Sequence, residues 1–295
     1  MSKEYLGSDA IRPMEQAMWK LCNKKGYDPH TAFTGLLDYI LGYFDPEGNP
    51  VEGWRFDSED NKAFYDIMNT YFDVQKEQSV KLGWYDAFGD LYMALHTKGG
   101  GKGQYFTPMV VANTVAKINL GEVEYNEGLG THTPMGKRIV VTDPAAGSGR
   151  LALAGYSILL SVMQQQWGWD YYRTVSQRPY VCVEDLDYNC VKMCAINLAM
   201  HGCYGEAVCH DTLTEPGIVR LGYIIGEADY PFPSGIPSIR KEMRPERFVT
   251  CRHWLLQQQK QQAEKPKEPP KPIEHKASPT PLSVKREQPQ QLSLW

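Results

Sequence analysis

The chain has 295 residues, 42% of them hydrophobic, and a formal net charge of -4. That length and apolar content allow one large or two modest domains with a real core. The slight acidity excludes a protein that coats nucleic acid by bulk charge, although it leaves room for a local basic face. The seven cysteines are scattered, six of them beyond residue 180, and no C-x-x-C pair occurs, so they read as reduced intracellular thiols. Cys203, Cys209 and His210 are the one trio near enough in sequence to be weighed as a zinc site, and the expectation is that no metal is held. The opening residues M-S-K-E-Y-L-G-S-D carry no apolar signal core. The longest apolar stretch, Leu151 to Met163, is too short to span a bilayer. A cytoplasmic protein is expected.

Taken in chain order, residues 1–97 carry helix signals. Apolar positions three and four apart predict helices over Ala10–Lys20, Thr31–Tyr43 and Glu59–Phe72, and Trp84–Leu95 continues the pattern. The loop Lys98–Gly103, K-G-G-G-K-G, breaks it and lacks the order of a triphosphate-binding loop. An α/β stretch over 98–256 follows. Thr107–Ile118 reads as a helix with Pro108 in its first turn, Arg138–Thr142 as a strand, and Arg150 to about Gln165 as a helix. Tyr180–Glu184 reads as a strand, and Asp187 caps a helix that ends at Gly202. Glu206–Cys209 and Leu221–Ile225 read as further strands. Strands alternating with helices predict a parallel sheet covered on both faces. From Gln257 the composition turns polar, charged and proline-rich, so 257–295 is expected to be a disordered tail.

The most telling stretch is V-V-T-D-P-A-A-G-S-G-R-L, Val140–Leu151. It reads as a buried strand entering a glycine turn and then a helix, whose free N–H groups and positive dipole end suit a carboxylate or phosphate. Asp185, at the end of the next strand, stands where an acid can accept hydrogen bonds from both ribose hydroxyls. The dinucleotide pattern G-x-G-x-x-G is absent: Ala152 holds the third position and the D-P-A-A prefix is foreign to it. The pocket therefore reads as one for S-adenosylmethionine rather than NAD.

Four motifs in order carry a family resemblance: G-D-L-Y-M-A-L leading into G-Q-Y-F-T-P, then D-P-A-A-G-S-G-R-L, then E-D-L-D-Y-N-C-V-K-M-C-A-I-N-L-A-M-H-G, then H-D-T-L. From about Asp86 to Leu213 the chain resembles the adenine-N6 DNA methyltransferases, specifically the modification subunits of type I restriction systems. The resemblance implies a Rossmann-like, S-adenosylmethionine-dependent methyltransferase sheet, incomplete here, with an N-terminal helical domain. It implies that Gln104, Tyr105, Phe106, Thr107 and Pro108 hold the methionine end and flank the adenine of the cofactor, with Met109 where the family often has Arg. It further implies that Asp143 organises the turn, that Gly147, Ser148 and Gly149 touch the methionine part, that Asp185 takes the ribose, and that Asp211 binds the exocyclic amine.

The family's target-base motif, [DN]-P-P-[YF] after the fourth strand, has no full counterpart. The nearest is Asp229-Tyr230-Pro231-Phe232, which keeps the acid, one proline and the aromatic. Its acid and a backbone carbonyl would accept hydrogen bonds from the amine of an adenine taken out of the duplex stack. Too few residues follow Phe232 for three more strands, so the fourth strand is expected at an open edge, shielded by the N-terminal helices or by another chain. Sequence specificity would then come from a partner subunit. The last residues resemble the peptide by which bacterial DNA enzymes dock on the replication sliding clamp, with Gln291 in a polar cleft and Leu292, Leu294 and Trp295 as apolar anchors. Two functions follow. One is a DNA adenine-N6 methyltransferase. The other is a degenerate cofactor- and DNA-binding module recruited to the clamp.

Overall fold

The computed structural model describes residues 9–49, 51–98, 106–120, 140–167, 179–215, 217–226 and 237–264. The helices are α1 (Arg12–Lys25), α2 (Pro29–Phe44), α3 (Ser58–Leu82), α4 (Ala87–Lys98), α5 (Met109–Leu120), α6 (Arg150–Trp167), α7 (Tyr188–Met200) and α8 (Val249–Glu264). The strands are β1 (Val140–Asp143), β2 (Tyr180–Asp185), β3 (Tyr204–Cys209), β4 (Leu221–Ile225) and β5 (Ile239–Lys241). Local chemistry sets several helix ends. Asp28 accepts from Thr31 N at α2, Asp57 and Asp60 form a capping box at α3, and Asp187 accepts from Asn189 N and Cys190 N at α7. Each satisfies donors that a helix start leaves unpaired. Among the described residues no helix is long and apolar enough to cross a membrane.

The five strands lie in one sheet in sequence order. β1, β2 and β3 are parallel, with Val141 opposite Val181 and Val181 opposite Gly205. β4 runs antiparallel to β3, with Leu221 opposite Cys209 and Ile225 opposite Gly205, and β5 runs antiparallel to β4. The expected all-parallel sheet is thus corrected to a mixed one. The reason is chain length. Only residues 210–220 join β3 to β4, and those described among them form no helix, whereas a parallel crossover needs a dozen or more residues. β5, absent from the sequence reading, covers β4, so the edges among the described strands are β1 and β5 rather than β4.

Alternation along the strands separates two faces. Val181, Val183, Ala207 and Cys209 join α7 in the main core. Val208 and Ile224 on the other face pack with Phe248 and Cys251 at the start of α8. That second face also carries Glu206, wholly buried, whose carboxylate accepts from Val249 N (2.8 Å), Thr250 N (2.9 Å) and Tyr180 Oη (3.2 Å). A carboxylate on the sheet thereby supplies the negative charge that the start of α8 favours.

The described residues from Asp9 to Gln257 belong to one compact unit. The sequence reading separated 1–97 from 98–256, but helices α1–α4 and the α/β stretch share one continuous core. α2 is apolar on most sides, with Phe33, Leu36, Leu37 and Ile40 wholly buried, and it packs on α7 as well as on its helical neighbours. The expected start of the tail at Gln257 is also corrected. α8 continues to Glu264, because glutamine, lysine, alanine and glutamate sustain a helix and the first proline stands at 266. Residues 265–295, with Gln291, Leu292, Leu294 and Trp295, lie outside the described residues.

Candidate cofactor site

The glycine turn leaves β1 at its carboxyl end and opens α6. Gly147 and Gly149 adopt φ of 57° and 92°, a region that favours glycine. Gly149 N donates to Ala146 O (2.8 Å) and Ala146 N to Glu184 O (3.0 Å), which fixes the turn against β2. Asp185 Oδ2 accepts from Gly147 N (2.8 Å) and its Oδ1 from Asp187 N (2.8 Å). The acid expected to meet a ribose thus also orders the glycine turn and the start of α7. Burial, first, raises its carboxyl above the usual range.

Asp143 is buried at the end of β1. Its Oδ1 accepts from Ala145 N (3.3 Å), whereas its Oδ2 is buried with no partner among the described residues. Burial raises this carboxyl too, with Asp185 and Glu184 adding to the effect. An unsatisfied carboxylate oxygen is costly, and a donor-bearing ligand offsets that cost.

Phe106 closes the turn from the other side: a Cβ placed on Gly147 lies 2.8 Å from its Cδ1. Arg150 Nη1 donates to Thr107 O (3.3 Å). The Phe106–Pro108 loop and the glycine turn, more than thirty residues apart in sequence, therefore meet. Pro108 opens onto α5 and is half-buried. Gln104 and Tyr105 lie outside the described residues, as do Asp229, Tyr230, Pro231 and Phe232. The residues flanking that last segment are described. Ile225 sits opposite Gly205 at the amino end of β3, and Gly226 N donates to Ser238 O (2.8 Å). The chain thus leaves β4, and enters β5, at the rim opposite the glycine turn.

Asp211 follows β3 at the same rim as Asp185, where His210 N donates to Asp185 O (3.2 Å). Its Oδ1 accepts from Leu213 N (3.0 Å) and Thr214 N (2.9 Å). Bonds from Thr214, by side chain and backbone, hold its carboxyl below the usual range.

Sequence reasoning missed the groups beneath the turn. Ser148 Oγ donates to Asp86 Oδ2 (2.5 Å), so its one hydroxyl proton is already engaged. Asp86, wholly buried just before α4, also accepts from Arg150 Nε (2.6 Å), Asn197 Nδ2 (2.8 Å) and Gly89 N (2.7 Å). Arg150 Nη2 donates to Asp90 Oδ1 (2.6 Å). The legible signal was D-x-x-G at Asp86–Gly89, an acid placed to cap the helix that follows. A second missed group lies under Asp185 and Asp211. Glu184 accepts from His210 Nε2 (2.5 Å) and Thr212 Oγ1 (2.9 Å), and Cys251 Sγ stands 3.8 Å from His210 Nδ1. Burial alone lowers the imidazole, but Cys251 and Glu184 outweigh it and raise it to about 9. Cys209 Sγ donates to Leu186 O (3.4 Å).

A cleft of about 510 Å³ lies elsewhere, lined by Asp38, Lys192, Arg220, Tyr223 and Lys241 among others. Its cations are paired: Lys192 with Asp38 (2.6 Å), Arg220 with Glu215 (2.6 Å) and Lys241 with Glu52 (3.6 Å). Volume alone does not make it the site, because none of the glycine-turn residues lines it and its charges already satisfy one another.

Residues 84–242, more than half of the chain, match the family model described as N-6 DNA Methylase. No curated protein and no solved structure matches the chain.

Proposed function

Because the chain belongs to the N-6 DNA methylase family, we propose that it binds S-adenosylmethionine at the glycine turn and acts as a DNA adenine-N6 methyltransferase of restriction-modification type. The observation that carries the cofactor assignment is the meeting of Phe106, Gly147, Asp143 and Asp185 around one turn. The residues fit the group chemically. The unpartnered Oδ2 of Asp143 suits an ammonium, the opening N–H groups of α6 suit a carboxylate, and the remaining lone pairs of Asp185 suit ribose hydroxyls. Asp211, at the neighbouring strand end, suits an amine. Bound S-adenosylmethionine supplies an already activated methyl group, so the protein's task is placement and electrostatics. DNA is the substrate on this reading, a partner subunit supplies sequence recognition, and the protein works in the cytoplasm.

A second reading is favoured by the direction of β4. Asp229-Tyr230-Pro231-Phe232 follows a strand that ends at the rim away from the glycine turn. That suits a module which holds the cofactor without its own target-base site, recruited to replicating DNA through Gln291–Trp295. Calorimetric titration with S-adenosylmethionine, followed by radiolabelled methyl transfer to mixed DNA, separates the readings. Binding with turnover supports the enzyme, binding without turnover in the presence of candidate specificity subunits supports the module, and absence of binding overturns both.

A further inference from the structure

The glycine turn and the Phe106–Pro108 loop do not hold each other by direct hydrogen bonds among those described. Both are tied to Arg150. Its Nη1 reaches Thr107 O (3.3 Å), and it begins the helix that the turn opens. Arg150 is in turn fixed by two carboxylates from the helical layer, Asp86 on Nε (2.6 Å) and Asp90 on Nη2 (2.6 Å). Side-chain exposure is 7% for Arg150 and 0% for Asp86, so little water screens the pair, and the planar guanidinium offers its donors in one fixed fork. Asp86 does more than balance charge. It accepts Ser148 Oγ from within the turn and Asn197 Nδ2 from α7, and Asn197 Nδ2 also donates to Ser148 O (2.9 Å). Asn197 Oδ1 accepts from Tyr71 Oη of α3 (3.4 Å). Gly89 is required for this arrangement, since a Cβ there lies 1.9 Å from Asp86 Oδ2 and 2.7 Å from Ser148 Oγ.

We infer that the buried Asp86–Arg150 pair is the positioning element of the cofactor site, setting the spacing between the Phe106–Pro108 loop and the glycine turn, so that the N-terminal helices are part of that site. The inference rests on the cofactor reading above. Neither residue is assigned a contact with the cofactor. Both act through the backbone they place.

The test uses the full chain, with S-adenosylmethionine and S-adenosylhomocysteine titrated by calorimetry and melting followed in parallel. Asp86→Asn removes the charge, and Arg150→Lys keeps the charge but cannot span Asp86, Asp90 and Thr107 together. Ile224→Ala, a cavity in the separate cluster on the other face of the sheet, provides a control of comparable melting loss. At a temperature where all are folded, Asp86→Asn and Arg150→Lys are expected to bind about tenfold or more weakly, while Ile224→Ala binds as the parent does. Ser148→Ala, which deletes one hydroxyl and spares the ion pair, is expected to give a smaller loss and covers the case in which Asp86→Asn does not fold. Parent-level affinity in folded Arg150→Lys and Ser148→Ala, or equal losses in the control, overturns the inference. A parent chain that binds neither ligand overturns the cofactor reading itself, and this inference with it.

Discussion

Two single residues make opposite use of burial. Asp143 keeps a carboxylate oxygen unsatisfied among the described residues, so the site is set to favour a donor, and a positively charged one most of all. Asp143→Asn leaves the size of the side chain unchanged and is expected to weaken S-adenosylmethionine binding by about tenfold or more, an effect of about 1.5–3 kcal/mol for a charged hydrogen bond, as read by calorimetry. His210 instead has its charge satisfied. Its folded pKa is raised to about 9 by Cys251 and Glu184 against the lowering effect of burial. A histidine raised above its unfolded value of about 6.5 stabilises fully below that value and loses its contribution as pH rises through the folded one. Stability is therefore expected to fall between about pH 6.5 and 9 by up to about 3 kcal/mol. Urea midpoints measured across that range should show the fall, and His210→Gln should flatten it.

Among the elements, the glycine turn and α8 separate site from scaffold. Gly147 has φ of 57°, and a Cβ at that position would stand 2.8 Å from the Phe106 ring. Gly147→Ala meets both backbone strain and a ring, and is expected to cost about 1–3 kcal/mol and to abolish measurable cofactor binding. α8 lies on the opposite face, where Glu206 accepts from Val249 N and Thr250 N. Glu206→Gln leaves the start of that helix with fewer acceptors and a lost charge. It is expected to lower stability by about 1–3 kcal/mol with cofactor affinity unchanged, which paired melting and calorimetry would read. β4 and β5 make the same point about direction. The short connection 210–220 returns the chain as an antiparallel strand, and that return ends β4 at the rim away from the glycine turn.

At the scale of the whole molecule, the N-terminal helices and the sheet form one core, and the turn is held by groups from α4, α6 and α7 together. Removal of residues 1–97 is therefore expected to yield an insoluble or unfolded fragment rather than a cofactor-binding domain, and circular dichroism of 98–295 checks this; a fragment that folds and binds S-adenosylmethionine would show the helices to be dispensable. Much of the plan was legible in the chain itself. Helices over Ala10–Lys20, Thr31–Tyr43 and Arg150 to about Gln165, strands over Arg138–Thr142 and Tyr180–Glu184, the cap Asp187, the helix stop at Gly202 and the glycine turn all follow from periodicity and turn chemistry, which near neighbours decide, and the structure has a helix or strand at each. Tertiary structure alone decided the addition of β5 and the partners of Asp86, which stand 62, 64 and 111 residues away at Ser148, Arg150 and Asn197. The reason is physical: an added strand pairs only where the fold leaves an edge it can reach, and a buried carboxylate takes whichever donors packing brings to it, and neither is encoded within a few residues of the group concerned.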